Sequence, residues 1–323
     1  MLKSLPVLLL LLALPAKAAP TLNALIIDGQ NNHKVWPKTT AMMKQYLEET
    51  GLFSVDVKRT AFTWRGEKLL ASYPLLGVTT VATKKPRVDP DYQPKFSKYD
   101  VVISNFGWKA AKWPRATQIA FANYVKNGGG FVVVHAANNA FPGWPEFNEI
   151  TGLGGWGNRT ESHGPYVYLN DAGKLIRDDS PGKAGSHGPQ HEFQITVQNR
   201  SHPITNNMPA LWLHTKDECH AELRGPAKNL EILATAYSNP AYKGTGRHEP
   251  ALFTIGYGKG RVFHITLGHS DTAMESVGFI ASFTRGAEWA ATGAVTQKIP
   301  EDFPGATQTR NRSFNKPTIL KTD

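Results

Sequence analysis

Short apolar runs alternate with longer amphipathic segments along the first half of the chain. The predicted strands are residues 23–29, 53–59, 99–105 and 130–136, and the predicted helices are residues 37–49 and 114–126. Strands that alternate with helices in this way are typical of a parallel sheet that has helices on both faces. The pattern therefore predicts an α/β fold built from βαβ units.

The second half of the chain alternates less regularly. Residues 154–201 are rich in Gly and His and contain two short strand-like pieces, "PYVYL" and "HEFQITV". Three more strands are predicted within residues 230–236 and 251–269, and a helix from about 273 to 291 ends at Gly293. We expect residues between 59 and 99 to form a long surface loop.

The N-terminus has the pattern of a secretory signal. Lys3 precedes an apolar run, and the small residues Ala16 and Ala18 stand before Ala19. The run is shorter than the roughly 20 residues that a membrane span needs, and no later run is longer. We expect a signal peptide at 1–18, one domain at 19–293, a loose polar tail at 294–323, no membrane span, and a periplasmic or secreted protein.

Charge and cysteine content narrow the choice of partners. Removing Lys3 and Lys17 lowers the formal net charge from +10 to +8. Nucleic acid is not expected as the partner of an exported protein, so the excess indicates a solvated basic surface. A single cysteine forms no internal disulfide, and a hydrophobic content of 41% can supply an ordinary apolar core instead.

Histidines follow three of the predicted strands. His33 comes after the first strand, in a stretch that also offers Asp28 and Asn32, while His135 ends the fourth strand and His269 follows the last one. The carboxyl ends of parallel strands meet at one edge of the sheet, where ligands bind. We therefore expect these three imidazoles to meet in one cleft.

The segment "HTKDECH" (214–220) places the chain's only cysteine among ionisable residues. If residues 217–223 form a strand, Cys219 faces the apolar side while Glu218 and His220 face the other side. A nucleophilic cysteine needs a sharp strand-to-helix turn and a positioned base, and neither flanks Cys219. The pattern thus favours a structural cysteine.

Metal binding by the same segment is an alternative. His214, Glu218 and His220 could hold zinc, although their spacing matches neither a zinc finger nor H-E-x-x-H. A site in which Asp217 or Glu218 joins the distant histidines is favoured over a local one.

Two Gly-rich loops carry further candidate groups. "GSHGPQHEF" contains His187 and His191, and "GTGRHEP" contains Arg247, His248 and Glu249. Loops that fold over a cleft commonly carry binding groups, and solvated loops are equally polar, so both interpretations stand.

Five pieces of the chain resemble the trehalose-utilisation, or ThuA-like, family: "GQNNH", "HPIT", "DE" (217–218), "YGKGRVFHITLGH" and "RGAEWAATG". The resemblance spans residues 23–293. It implies a flavodoxin-like (class I glutamine amidotransferase-like), mostly parallel sheet flanked by helices. It also implies a place in sugar catabolism, alongside oxidoreductases that make 3-keto sugars. Amidotransferases of this fold use a cysteine after a central strand; here "VVVHAANN" has none, so that chemistry is not expected.

The resulting hypothesis is an exported enzyme that hydrolyses or isomerises an oxidised (3-keto) glycoside, either a small molecule or an oligosaccharide. Such chemistry needs a base and an acid beside the keto group. The base would be His135 or His269 and the acid Glu218. The candidate catalytic residues are His135, Glu218, His269 and Asp217, and the candidate substrate-binding residues are Asn32, His33, His191, Arg247 and His248. The alternatives are a non-catalytic sugar-binding protein and a hydrolase whose cofactor is a divalent metal such as zinc.

Overall fold

The computed structural model describes residues 22–315, so the predicted signal peptide and the last residues of the tail lie outside the described part. The strands are β1 (Leu22–Gln30), β2 (Phe53–Trp64), β3 (Val81–Thr83), β4 (Val101–Ser104), β5 (Gly130–Val134), β6 (Tyr166–Leu169), β7 (Leu175–Asp178), β8 (His191–Val197), β9 (Leu211–Asp217), β10 (Leu230–Tyr237), β11 (His248–Tyr257) and β12 (Gly260–Ile265).

The helices pack on both sides of these strands. They are α1 (Trp36–Glu49), α2 (Glu67–Leu70), α3 (Arg115–Lys126), α4 (Pro145–Thr151), α5 (Asp271–Met274) and α6 (Val277–Thr292). Within residues 22–315, no helix combines the length and the apolar character that crossing a bilayer requires.

All twelve strands belong to one sheet. Its order is β3-β2-β1-β4-β5-β12-β11-β10-β8-β9, with β6 attached to β11 and β7 to β6. The pairings from β3 to β12 are parallel, and these six strands are called the parallel half. The pairings beyond β12 are antiparallel, and those six strands are called the antiparallel half. The predicted α/β class and the large sheet flanked by helices are confirmed, and the antiparallel half makes the sheet mixed.

Apolar side chains cover both faces of the sheet. Ala24 and Ile26 of β1 pack in the cluster that includes α1 and α6, whereas Leu25 and Ile27 pack in the cluster that includes α3 and α4. Successive side chains of a strand point to opposite faces. A strand that is covered on both faces therefore reads as an unbroken apolar run, which is why β1 is visible in the sequence.

Two predicted boundaries are wrong. β2 continues to Trp64 and pairs with β3, so part of the predicted loop between residues 59 and 99 forms the edge of the sheet. Tyr92 and Phe96 of that segment are buried. The predicted strand 217–223 does not form, because β9 ends at Asp217 and the chain then continues with single bridges.

The segment after α6 packs against the domain as far as the structure describes it, although the sequence suggested a loose tail. Glu288 of α6 accepts hydrogen bonds from the backbone N–H and the hydroxyl of Thr296, both at 2.6 Å. The ring of Phe303 lies 5.4 Å from that of Trp212. A buried carboxylate and an aromatic contact thus anchor this polar segment.

Candidate active site

The three histidines predicted from strand ends lie together at the carboxyl edge of the parallel half. The ring centroid of His33 is 5.2 Å from that of His135 and 4.3 Å from that of His269. The rings of His135 and His269 are 5.4 Å apart. The ring of a fourth histidine, His220, lies 4.2 Å from that of His135 and is tilted from it by 35°. These four histidines and the carboxylate of Glu218 are called the His/Glu cluster.

Glu218 occupies the centre of this cluster and is only 8% exposed. Its Oε1 lies 2.9 Å from Nδ1 of His269 and 3.6 Å from Nε2 of His187. Its Oε2 lies 3.7 Å from Nε2 of both His135 and His220. One carboxylate is therefore surrounded by imidazoles from four separate segments of the chain.

Asparagine side chains hold the loop after β1. Asn31 donates from Nδ2 to the carbonyl of Asn105 (3.1 Å) and accepts from the backbone N–H of His33 (2.9 Å). Asn32, a predicted substrate ligand, accepts from the backbone N–H of Trp108 through its Oδ1 (2.8 Å). These bonds join the β1 and β4 loops and orient His33, so the amide oxygen of Asn32 is used within the protein.

His135 stands at the sharp turn where β5 passes into a 3₁₀ helix, His135–Asn139. Its φ of +41° is unusual and strained for a residue with a side chain. Its Nδ1 donates to the carbonyl of Thr266 at 2.7 Å, because a carbonyl can only accept. That bond leaves Nε2 as an acceptor directed toward Glu218. In other α/β enzymes such a strained turn presents a nucleophile; here it presents an imidazole.

Asp217 connects its own segment to the loop after β12 through hydrogen bonds. Its Oδ2 accepts from Nε2 of His214 (2.9 Å) and from the N–H of Gly268 (2.7 Å). Its Oδ1 accepts from the N–H groups of Glu218 (2.8 Å) and His269 (3.1 Å). Gly268 has a φ of +103°, which favours glycine. Asp217 was a catalytic candidate, but its contacts are those of a positioning residue.

Burial and charge set the protonation states of the cluster. Burial lowers the pKa of His33 to about 3 and lowers that of His135 well below its usual value, so both imidazoles are neutral. Burial also opposes charge on His269, but the Glu218 carboxylate outweighs it and raises the pKa of His269. Burial alone would raise the pKa of Glu218, yet His220, His269 and His135 hold it below its usual range. These surroundings favour an ionised Glu218, which is not the form that a general acid requires.

His191 and His248 lie outside the cluster, in a groove of the antiparallel half. The ring of His191 stacks on that of Tyr242 at 3.9 Å. Both histidines line a groove of about 550 Å³ together with Tyr242 and Tyr237, each of which is 42% exposed. This groove is called the tyrosine groove. His191 is paired with Asp217 across β8 and β9, so the groove begins one strand away from the cluster.

Two charged residues near the same edge form internal ion pairs. Arg247, a predicted substrate ligand, donates to Asp178 at 3.4 Å. Asp28 is fully buried and accepts from Nε (2.8 Å) and Nη2 (2.7 Å) of Arg59. The rim position expected for Asp28 is wrong, because its side chain points into the core.

Two further histidines contact Glu218 although the sequence assigned them no catalytic role. His220 was predicted only as a possible zinc ligand, because a spacing of two residues places it on the same side of an extended chain as Glu218. His187 was one of two histidines noted in a Gly-rich loop, and no pattern distinguished it from His191. The local zinc trio does not form, because His214 turns away to pair with Asp217 and Ser276.

The residue between Glu218 and His220 has a different environment. Cys219 is 4% exposed and packs in the apolar core. Burial, with smaller contributions from Glu249 and Asp217, raises the pKa of its thiol to about 12. A neutral, buried thiol is a poor nucleophile, in line with the structural interpretation.

Comparison with known proteins gives a consistent result. The family model ThuA, described as trehalose utilisation, matches residues 23–290. A crystal structure described as ThuA-like, from Parabacteroides merdae ATCC 43184, is 41% identical, covers 91% of this chain and 98% of that chain, and has a TM-score of 0.80. Another described as ThuA-like, from Bacteroides uniformis ATCC 8492, shares the fold at 18% identity, covering 88% and 97%, with a TM-score of 0.52. No curated protein matches the chain.

Proposed function

The chain belongs to the ThuA family, which is linked to trehalose utilisation, and on that premise we propose that it is an exported enzyme that acts on an oxidised glycoside. We also propose that the fold is flavodoxin-like. Without the three-residue edge strand β3, the parallel half has the order β2-β1-β4-β5-β12. This order matches that of flavodoxin-like folds, in which ligands bind at the carboxyl edge beside the first strand, and so supports the proposal.

The observation that carries the proposal is the His/Glu cluster at this edge. Its imidazoles come from the loops after β1, β5 and β12 and from the segment after β9, and they converge on one buried carboxylate. Buried ionisable groups are costly unless they are paired, and they are concentrated at functional sites. A protein that only binds sugars does not need such a cluster of buried titratable groups.

The proposed chemistry begins at the carbon next to the keto group. A neutral imidazole, His135 or His33, takes the proton from that carbon, and the electron pair forms an enediolate. Return of the proton at the neighbouring carbon gives an isomer. Alternatively, the electron pair expels the glycosidic oxygen, which leaves with a proton from the His269–Glu218 pair, and addition of water completes hydrolysis. General acid–base catalysis of this kind contributes about 100-fold to 10,000-fold.

The tyrosine groove provides a basis for proposing the size of the substrate. Exposed tyrosine rings offer flat apolar faces to sugar rings, and the groove starts one strand from Asp217. We assign the oxidised sugar to the cluster and the remaining sugar to the groove, so a disaccharide fits better than a free monosaccharide. His191 and His248 keep their proposed role as substrate ligands there.

The decisive experiment compares oxidised and parent sugars. Purified protein from residue 19 onward is incubated with 3-keto trehalose, with another 3-keto glycoside and with the unoxidised parents, and products are separated by chromatography. We expect product only from the keto sugars, and we expect His135→Asn to lose it. Binding of the keto sugars without turnover would favour a sugar-binding protein, and equal release from the parents would contradict the role of the keto group.

Export is part of the same proposal and has a separate test. Intact-mass measurement on protein from the native host should give a chain that starts near Ala19. A mass that includes Met1 would contradict export, without affecting the proposed reaction.

A further inference from the structure

Two buried imidazoles of the cluster have ring nitrogens without a hydrogen-bond partner among residues 22–315. They are Nε2 of His135 and both nitrogens of His220. Buried polar atoms are nearly always paired, and leaving one unpaired costs about 1–3 kcal/mol. The two Nε2 atoms, each 3.7 Å from the carboxylate of Glu218, therefore call for a ligand that accepts electron pairs.

A buried histidine elsewhere in the same domain shows that the fold can satisfy imidazoles. His264 is fully buried, yet its Nδ1 lies 3.1 Å from the carbonyl of Thr151 and its Nε2 lies 3.2 Å from Nδ2 of Asn138. Its two nitrogens are thus both engaged by the protein. Among residues 22–315, Nδ1 of His269 in the cluster and Nε2 of His191 in the tyrosine groove also lack a hydrogen-bond partner, but only the Nε2 atoms of His135 and His220 are unpaired on residues this deeply buried beside Glu218.

The spacing of the three groups suits one metal ion. Nε2 of His135 and Nε2 of His220 each lie 3.7 Å from Oε2 of Glu218, and potential ligand atoms of the three residues lie within 4.8 Å of one another. Ligand atoms around tetrahedral zinc, each at about 2.0–2.1 Å from it, stand roughly 3.3 Å apart. A small inward movement of the side chains would bring all three into coordination.

The surroundings already orient these ligands. The bond from Nδ1 of His135 to Thr266 fixes the tautomer that presents Nε2, which is the usual second-sphere arrangement of metal-binding histidines. Asp217 holds the backbone N–H of Glu218. A cavity of about 10 Å³, about the volume that one water molecule needs, lies on the side of His135 that faces His33 and His269.

We propose that Nε2 of His135, Nε2 of His220 and the carboxylate of Glu218 bind one divalent transition-metal ion, with zinc as the metal that this ligand set fits best. Two imidazoles and one carboxylate are a known zinc set that keeps a position open, whereas Mg²⁺ and Ca²⁺ prefer oxygen ligands. His33 and His269 flank that position. The catalytic meaning rests on the proposed function: the ion would polarise the sugar carbonyl, and because Nε2 of His135 would then be a ligand, His33 rather than His135 would take the proton from carbon while His269 supplies the other proton.

The test measures metal binding without substrate. Protein from residue 19 onward, free of a polyhistidine tag, is stripped with a chelator and titrated with Zn²⁺ by calorimetry, and with Co²⁺ by visible spectroscopy. We expect one equivalent of either ion, and a tetrahedral or five-coordinate cobalt spectrum. His220→Ala and Glu218→Gln should each weaken zinc binding by more than about 100-fold, because loss of a direct ligand exceeds the loss that an outer-sphere partner causes.

His202→Asn is the matched control. His202 is also largely buried, and its Nδ1 accepts from the N–H of Ile204, away from the cluster. This variant should bind zinc as the wild type does. If His220→Ala does not fold, as thermal unfolding would reveal, His220→Gln replaces it.

The outcomes separate this proposal from the proposed function. Failure of the wild type to bind Zn²⁺, or binding that His220→Ala and Glu218→Gln leave unchanged, overturns the metal site. One tight equivalent of zinc that both variants lose supports it, even if no keto glycoside is turned over; that last result would reject only the proposed reaction. Turnover that persists in metal-stripped protein would reject the catalytic role of the ion while leaving the reaction in place.

Discussion

Two buried carboxylates at the same edge of the sheet have opposite surroundings. Asp28, at the end of β1, is fully buried and receives two hydrogen bonds from Arg59 and one from the hydroxyl of Thr40 at 2.8 Å. Glu218 is nearly as buried, but it faces imidazoles whose nitrogens are partly unpaired. The protein itself supplies all the hydrogen-bond partners that Asp28 needs, whereas the groups around Glu218 keep unpaired nitrogens.

The difference distinguishes a buried charge that stabilises the fold from a buried charge that belongs to a functional site. A buried charge that is paired and hydrogen-bonded mainly specifies the fold, and breaking it costs stability. A buried carboxylate among unpaired nitrogens lacks such a complete set of partners, and the proposed metal ion would complete it. Glu249 is a third buried carboxylate. Its side chain accepts a hydrogen bond from the hydroxyl of Thr245, whereas Asp28 accepts hydrogen bonds from the guanidinium of Arg59.

Glu218→Gln should break the functional centre and have the largest effect. The amide keeps the size of the side chain but removes the charge that holds His269. We expect turnover of a keto glycoside to fall by about 100-fold to 10,000-fold. The free energy of unfolding should fall by less than it does for Asp28→Asn, because His269 is the one imidazole around this carboxylate that lies within hydrogen-bond distance of it. Steady-state kinetics and urea unfolding check both; wild-type turnover would contradict the assignment.

Asp28→Asn should break the structural centre instead. It leaves Arg59 buried without its counter-ion, which we expect to lower the free energy of unfolding by about 3–5 kcal/mol. Turnover per folded molecule should stay close to that of the wild type. Adding Arg59→Met removes the unpaired charge and should recover part of the stability. Loss of turnover in a stable Asp28→Asn protein would place Asp28 in the site.

Glu249→Gln tests a buried carboxylate that lacks a close cation. Burial raises the pKa of Glu249 from 4.5 to about 7, with Arg247 lowering it and Glu222 raising it to smaller degrees. The folded protein therefore keeps this proton to higher pH than the unfolded chain. Its contribution to stability is complete below pH 4.5 and is lost between pH 4.5 and 7, amounting to about 3 kcal/mol.

In the Glu249→Gln variant, the free energy of unfolding should no longer fall as the pH rises from 4.5 to 7. Chemical denaturation at pH 5, 6, 7 and 8 should show a flatter profile than the wild type, with the variant more stable at pH 8. Parallel profiles for the two proteins would show that Glu249 is not the titrating group.

Cys219→Ser should have the smallest effect, although the residue is adjacent to Glu218. Its side chain lies in the apolar core, so we expect a loss of about 1 kcal/mol in unfolding free energy and unchanged turnover. Comparison with Cys219→Ala separates the stability lost with the packed sulfur atom from the stability lost by burying a hydroxyl. Inactivation of a stably folded Cys219→Ser protein would restore the nucleophilic interpretation.

Much of the parallel half was predictable, and so was part of the site. β1, α1, α3 and β5 appear close to their predicted positions, because strands buried on both faces are continuous apolar runs and helices have a clear amphipathic period. His33, His135 and His269 followed from the rule that parallel strands end at one edge. The antiparallel half was harder: β7 and β9 were not predicted, since short strands with polar residues resemble loops.

The sequence by itself determined the family, the α/β class and the three histidines at strand ends, because these depend on local pattern and on direction along the chain. Only the tertiary structure decided which polar residues lie together. Asp28, Asp217 and Glu218 are all acidic residues at strand ends, yet Arg59 completes the first, four donors complete the second and imidazoles surround the third. Those partners are distant in the chain, and the balance between burial and pairing that sets the role of a carboxylate exists only once the segments have packed.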